Sequence, residues 1–463
     1  MNKKLGLILL SALASIGLGA QNRTGFSLAD CITYAVTNQP KMKGAILDEQ
    51  MQIEKNNEII GIARPQVKAT GQFQYLFVLP KQRADAGAFD FSSSLSFFKI
   101  DTAAYNEYQK LPKKKYSDLQ FGLPLNVSAG IQASQILFDA GIFVALKARK
   151  SLEELSTLNT KRTEEEVKVS VSKAYYSCLV AEKRIQLLDE NISLLNSVES
   201  MTKKLYAEGF VEKIDVDRLT VQKNNLMIEK DKILNLVELS YSMLKFQMGM
   251  PLMQHISLLD SLSLDEVKKN LELDKVLDIS NRTEIQTLKM LKKLNGYDYE
   301  RYQKGYLPTV AAALSGSYAT QTKAVKELFT LPYFPTGAFV LSASVPIYDG
   351  NTRKAKMNQA KLNMLKNDND LMAAQQGIEL EVSNAFVQLR NSITSLENQK
   401  NNIELAQKIY TIAQTKYKEG VGTNIEIIQS ETALKDAQTN YYNSMFEAII
   451  AKIDYQKALG ILK

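Results

Sequence analysis

His255 is the single histidine of this 463-residue chain, Cys31 and Cys178 are its two cysteines, and tryptophan is absent. Metal binding and nucleophilic catalysis need such residues in groups: several His/Cys ligands at short spacing, or a nucleophile with a base and its orienting partner. Neither grouping occurs. No glycine-rich segment has the spacing that cradles phosphates. The carboxylate run Glu164-Glu165-Glu166 falls in a helical pattern, where it reads as a solvated face. No catalytic residue, metal site or cofactor is therefore expected. Cys31 and Cys178 both lie in helical patterns. They can be buried small hydrophobes or, in an exported protein, a disulfide.

The chain is marked for export. Lys3 and Lys4 precede an apolar run from Leu5 to Leu18, and Gly19-Ala20 precede Gln21. This predicts a signal peptide over 1–20, cut after Ala20. Beyond it no stretch of about 18 apolar residues could form a membrane-spanning helix. The formal charge of +7 falls to +5 without Lys3 and Lys4. That mild excess implies no nucleic-acid partner.

The elements that would position any site are written twice. Gly209, in Tyr206-Ala207-Glu208-Gly209-Phe210-Val211, and Gly420, in Tyr417-Lys418-Glu419-Gly420-Val421-Gly422, lie 211 residues apart. Leu137-Phe138-Asp139-Ala140 and Ile347-Tyr348-Asp349-Gly350 lie 210 apart. Such duplication points to a symmetric architecture. The first repeat is assigned to 21–272 and the second to 273–463. In the first, Ser27 and Asp30 have capping-box spacing, and a helical pattern runs with a pause at Pro40 until Pro65 ends it. Strands follow over about 66–79 and 121–137, separated by a polar loop from Lys81 to Asp118. Long helices follow over about 141–206 and 212–249. In the second repeat, Thr283 and Pro308 stand where Pro40 and Pro65 stood, both 25 residues apart. Strands are expected over about 309–320 and 337–347, and helices over about 352–417 and 424–462.

The two periodicities are distinct. Val67, Ala69, Gly71, Phe73, Tyr75 and Phe77 alternate with Lys68, Thr70, Gln72 and Gln74, the period of a half-buried strand. Ala174, Cys178, Ala181, Ile185, Leu188, Ile192 and Leu195 are spaced by fours and threes, a coiled-coil seam. Seams recur over Ala385, Leu389, Leu396, Ile403, Ala406 and Tyr410, and over Ala437, Tyr441, Ser444, Ala448, Ala451, Tyr455, Ala458 and Leu462. A proline-free pattern of roughly 65 residues predicts a rod of about 100 Å. Four two-faced strands cannot close a barrel alone. In a membrane, strand edges must be paired, so closure needs copies of the same chain.

These features together resemble the TolC-type outer-membrane efflux proteins over essentially the entire mature chain. The duplication carries the resemblance, with Ala63-Arg64-Pro65 and Tyr306-Leu307-Pro308, the junctions at Asp139 and Asp349, and the turns at Gly209 and Gly420. It implies a mainly α fold with β. It further implies a homotrimer whose chains each give four strands to a twelve-stranded outer-membrane β-barrel, continuous with a periplasmic α-helical coiled-coil barrel. The implied function is a passive exit duct of a tripartite efflux or type I secretion system. Its partners would be outer-membrane lipid, a periplasmic adaptor protein and an inner-membrane pump of the resistance-nodulation-division or ABC type.

The resemblance also implies roles at the tips. Glu426 matches the first acid of a pore-narrowing ring, and Gln429 stands at the position of the second. Asp215 and Tyr417 match two participants in the polar links that hold a closed state. Gly422 occupies the position of an arginine in those links, and Lys213 is a candidate substitute. The turns Gly209-Phe210-Val211 and Gly420-Val421 would touch the adaptor. Phe89, Phe91, Phe97 and Phe98 would lie near the pore mouth or membrane rim, and Lys113-Lys114-Lys115 near lipopolysaccharide phosphates. Bland readings exist as well: a solvated helix acid at Glu426, a dipole-favoured first-turn acid at Asp215, local packing for the turns, and a merely solvated loop at Lys113-Lys114-Lys115. The alternative for the whole chain is an exported structural or adhesive coiled-coil protein whose strands form a soluble sandwich.

Overall fold

A computed structural model describes residues 25–85, 107, 110, 116–120, 122–262 and 279–461. The expected signal peptide, the phenylalanines at 89, 91, 97 and 98 and the lysines at 113–115 lie outside these residues.

Chain order is β1 (Gly25–Phe26), α1 (Leu28–Asn38), α2 (Pro40–Ala63), β2 (Gln66–Tyr75), β3 (Lys81–Asp85), β4 (Tyr116–Gln120) and β5 (Leu125–Phe138). Then come α3 (Ala140–Ala207), α4 (Lys213–Met248), β6 (Ser257–Leu258), α5 (Thr283–Lys304), β7 (Thr309–Thr322), β8 (Phe334–Ser344), α6 (Thr352–Lys418) and α7 (Asn424–Leu459). Local chemistry sets the boundaries. Ser27 Oγ accepts from the Asp30 amide while the Asp30 carboxylate accepts from the Ser27 amide, a reciprocal cap on α1. Gln39, before Pro40, is extended, so α1 stops and Pro40 opens α2. β8 ends at Ser344, short of the alternation that reaches Ile347, because Pro346 has no amide for the ladder. α7 ends at Leu459 rather than 462, where Gly460 turns left-handed (φ 68°). The stretch expected as loop from Lys81 begins and ends as a ribbon. β3 pairs antiparallel with β4, and Arg83 Nε donates to Asp118 Oδ1 at 2.9 Å.

The chain divides into two compact units. The helical unit spans 1–55, 148–298 and 358–463. Its cores are the seams. Leu188, Leu195 and Val198 of α3 pack with Leu219, Leu226 and Ile233 of α4, Ala406, Tyr410, Ala413 and Tyr417 of α6, and Ile427 and Leu434 of α7. Each fully buried leucine contributes roughly 1.5–3 kcal/mol. Ala448, Ala451 and Ala458 are buried on α7, and their small side chains permit close helix approach. Cys31 and Cys178 lie in one cluster with Ala35, Val171 and Tyr175 and are free thiols. Burial pushes both up to about 12, which keeps them protonated and inert. The carboxylates of Glu164, Glu165 and Glu166 are partnered by Lys168, Thr283 and Lys41.

The strand-bearing unit spans 56–147 and 299–357. Its sheet has the order β2-β5-β7-β8, antiparallel throughout. The register sorts the faces. Val67, Ala69 and Phe73 lie opposite Ala133, Ile131 and Val127; Ala133 and Ile131 lie opposite Leu314 and Gly316; Leu314 lies opposite Phe339. All share one face. Lys68, Thr70, Gln72, Gln132, Ser128, Ser315 and Ser317 share the other. The apolar face is bare: Val67, Phe73, Ile131, Leu314, Phe339 and Leu341 are each more than 60% exposed. No second sheet covers it among the described residues, so the sandwich arrangement is absent there. Edge strands β2 and β8 are exposed along their whole length. No described helix is long and apolar enough to cross a membrane.

Candidate functional site

The tip of the helical unit is made by two αα turns. After α3, the Gly209 amide donates to the Tyr206 carbonyl and the Phe210 amide to the Leu205 carbonyl, with Gly209 at φ 81°. After α6, the Gly420 amide donates to the Tyr417 carbonyl and the Val421 amide to the Lys416 carbonyl, with Gly420 at φ 74°. A left-handed residue after a helix suits glycine because it has no Cβ to clash. The turns leave apolar side chains in the open: Phe210 is 75% and Val421 78% exposed.

The following helices begin differently. Thr423 caps α7, its Oγ1 accepting from the Glu426 amide at 3.3 Å. Glu212 precedes α4 without a side-chain cap. Asn424 instead joins the two starts: its Nδ2 donates to the Asp215 carbonyl at 2.6 Å. Glu426 and Gln429 are both exposed on α7. Gln429 lines an open groove of about 600 Å³ between the first turns of α4 and α7, with Ile214, Arg218, Val221, Ile425 and Ile428.

The residues matched to gating links have local partners in this chain. The Asp215 carboxylate faces Arg218 Nη1 at 3.5 Å. Tyr417 is buried, and its hydroxyl bonds Thr202 of α3 at 2.9 Å. Burial, with the Asp215 charge nearby, raises the Tyr417 phenol above its ordinary value. Lys213, at the first position of α4, is exposed. Gly422 donates its amide to the Lys416 carbonyl. A Cβ there would lie 2.9 Å from both Lys416 Cβ and the Tyr417 amide nitrogen, so this tight turn excludes an arginine unless the backbone shifts.

Two charged residues here escaped the sequence reading. Glu199 of α3, 4% exposed, is held by Lys203 at 2.6 Å, by Lys223 of α4 and by Thr220. Those cations hold its carboxyl at about 2. Glu431 of α7 is fully buried. Its Oε2 accepts from Gln222 Nε2 at 3.3 Å, while its Oε1 has no hydrogen-bond partner among the described residues. Burial pushes this carboxyl up. The nearby Tyr410 hydroxyl also lacks a hydrogen-bond partner among the described residues and is raised by burial and the Glu431 charge. A signal for Glu431 was present: it sits between Ile427 and Leu434 at steps of four and three, an acid inside a seam. Among the described residues no group of His, Cys, Asp and Glu could hold a metal ion, and His255 is exposed.

Comparison with known proteins gives a consistent set. Residues 279–460 match the family model "outer membrane efflux protein". Outer membrane protein TolC of Escherichia coli K12 is 21% identical over 347 residues, covering 72% of this chain and 69% of that protein. The probable efflux pump outer membrane protein TtgC of Pseudomonas putida is 20% identical over 373 residues, covering 79% and 75%. The crystal structure of the outer membrane protein VceC of Vibrio cholerae superposes with a TM-score of 0.65 at 13% identity, covering 94% of this chain and 96% of that one.

Proposed function

We infer that this chain, which belongs to the TolC-type outer-membrane efflux proteins, is the outer-membrane exit duct of an efflux pump and works as a passive channel rather than an enzyme. The observation that carries this reading is the register of the four-stranded sheet, which gathers its apolar side chains on one exposed face. In water such a face would be an aggregation site; against lipid it is the required surface. The opposite face, with Lys68, Gln72, Gln132 and Ser315, suits a water-filled lumen.

Edges in lipid must be paired. β2 and β8 run in opposite senses, so β2 of one copy can continue the antiparallel alternation beside β8 of the next. Three copies of four strands close a twelve-stranded barrel in the outer membrane. The helical unit lies in the periplasm and carries the Gly209 and Gly420 turns. Phe210, Val211 and Val421 present apolar surface there for a periplasmic adaptor, which couples the duct to an inner-membrane pump of the resistance-nodulation-division or ABC type. Glu426, repeated three times, forms a negative ring that favours cations, and Gln429 leaves the next position uncharged.

The test is expression with the native leader, followed by membrane fractionation and gel electrophoresis with and without heating. A heat-dissociable trimer in the outer-membrane fraction, ring-shaped under the electron microscope, is expected. A monomer in the soluble periplasm would overturn the reading and favour the adhesive coiled-coil alternative.

A further inference from the structure

We propose that the strand–helix junction of the strand-bearing unit is a binding site for an anionic glycerophospholipid of the periplasmic leaflet. Lys147 and Lys304 would hold the phosphodiester, and Phe138, Phe143 and Leu307 would carry an acyl chain. The proposal rests on the membrane reading above and adds a specific ligand to it.

The site begins with a register shift. β5 and β7 pair without interruption from Leu125 to Ile136, then slip by one so that Phe138 lies opposite Val310. Leu137 is the extra residue of a bulge. Without it, Leu137 would face Val310 and Phe138 would point to the polar side. With it, Phe138 joins the row that contains Ala312 and Leu314. The aromatic ring therefore extends the apolar face to the last residue of the strand. Phe143, 53% exposed in the first turn of α3, continues it, with ring centroids 5.6 Å apart.

These rings floor a cavity of about 370 Å³ closed by Val144 and Leu307. Its rim is ionic. Lys147 of α3 and Lys304 of α5 both reach the Glu300 carboxylate, at 3.3 and 2.7 Å. Both ammoniums therefore stand at the mouth of the cavity, beside the Glu300 carboxylate. Both are accessible, their side chains 60% and 48% exposed. The surroundings share the sign: across 138–147, 299–308 and 348–357, six Lys or Arg stand against three acids.

Tyrosines complete the belt. Arg301 and Lys356 lie over the Tyr302 ring at 4.9 and 5.7 Å, and Arg353 over Tyr306 at 5.5 Å. Aromatic and basic residues together mark headgroup depth. An apolar cavity continuous with the lipid-facing sheet and rimmed by ammoniums matches one ligand chemistry, a phosphate carrying acyl chains. A zwitterionic headgroup would offset the rim's charge with its own cation, so anionic lipid is preferred.

The experiment is native mass spectrometry of the detergent-solubilised protein titrated with phosphatidylglycerol and, separately, phosphatidylcholine. The wild type is expected to retain phosphatidylglycerol in preference. Lys147→Gln with Lys304→Gln should weaken it about fivefold per lysine, roughly twenty-five-fold together, and erase the preference. Phe143→Ala should weaken both lipids alike. Equal binding of the two lipids by the wild type, or unchanged phosphatidylglycerol affinity in the double variant, overturns the proposal. Outer-membrane fractionation is run on the same samples. Trimers that insert but show no lipid preference sink the site alone, whereas wild type absent from the outer membrane sinks both readings.

Discussion

Gly422 lies so close to Lys416 that the two residues share a turn with no room for a side chain between them. The arginine that the family resemblance placed at this position is therefore incompatible with the present turn. Gly422→Arg is expected to distort the tip rather than install a gating link. Overpacking of this kind typically costs about 1–3 kcal/mol. Thermal melting of the trimer should show a loss of stability, with no gain in closed-state occupancy in planar bilayers. A variant as stable as the wild type, with lower conductance, would contradict this account.

Glu426 stands exposed in the first turn of α7, three residues past its Thr423 cap. Glu426→Ala is expected to raise conductance and weaken divalent-cation block in planar bilayers by about fivefold, the effect of roughly 1 kcal/mol for an exposed charge. Gln429→Glu should do the reverse. Unchanged block in both variants would remove this face from the gate.

Gly209 and Gly420 have open space around the position a Cβ would take, but both sit at positive φ. Leucine at either place meets no neighbour and carries about 1–2 kcal/mol of backbone strain. Reshaping of the turn, without loss of the core, is the expected result. Adaptor capture should fall while the heat-dissociable trimer persists. Loss of the trimer itself would assign these glycines to folding rather than docking.

Glu431 and Glu199 give opposite pH dependence. Burial raises the Glu431 carboxyl above the ordinary 4.5. Its contribution is fully present below 4.5 and is lost as pH rises through the raised folded value. The cations around Glu199 lower it from 4.5 to about 2, so its contribution is present above 4.5 and is lost as pH falls toward 2. Glu431→Gln is expected to stabilise the protein at neutral pH by about 1–3 kcal/mol, the desolvation cost of the buried charge it removes, and to leave stability near pH 4 unchanged. Melting curves across pH check this. Equal gains at both pH values would show that the charge is not the cause.

Much of this architecture is local and was readable as such. The cap at Ser27, the breaks at Pro40 and Pro65, the alternation from Val67 to Tyr75 and the seam from Ala174 to Leu195 each reside in a few consecutive turns or pleats. Side-chain periodicity and backbone restriction act over that range, so the residue order determined which elements form and which face of each is apolar. The tertiary structure decided the rest, because it depends on partners far apart in the chain. The bulge that turns Phe138 outward is set against Val310. The Tyr417 hydroxyl goes to Thr202, 215 residues away, and Asn424 reaches the Asp215 carbonyl, 209 away. Glu431 interrupts a seam in the residue order, but its neighbours Gln222 and Tyr410 come from other helices and exist around it only in the fold. A side chain's period follows from its neighbours in sequence, whereas its hydrogen-bond partner and its dielectric surroundings exist only once distant segments have packed.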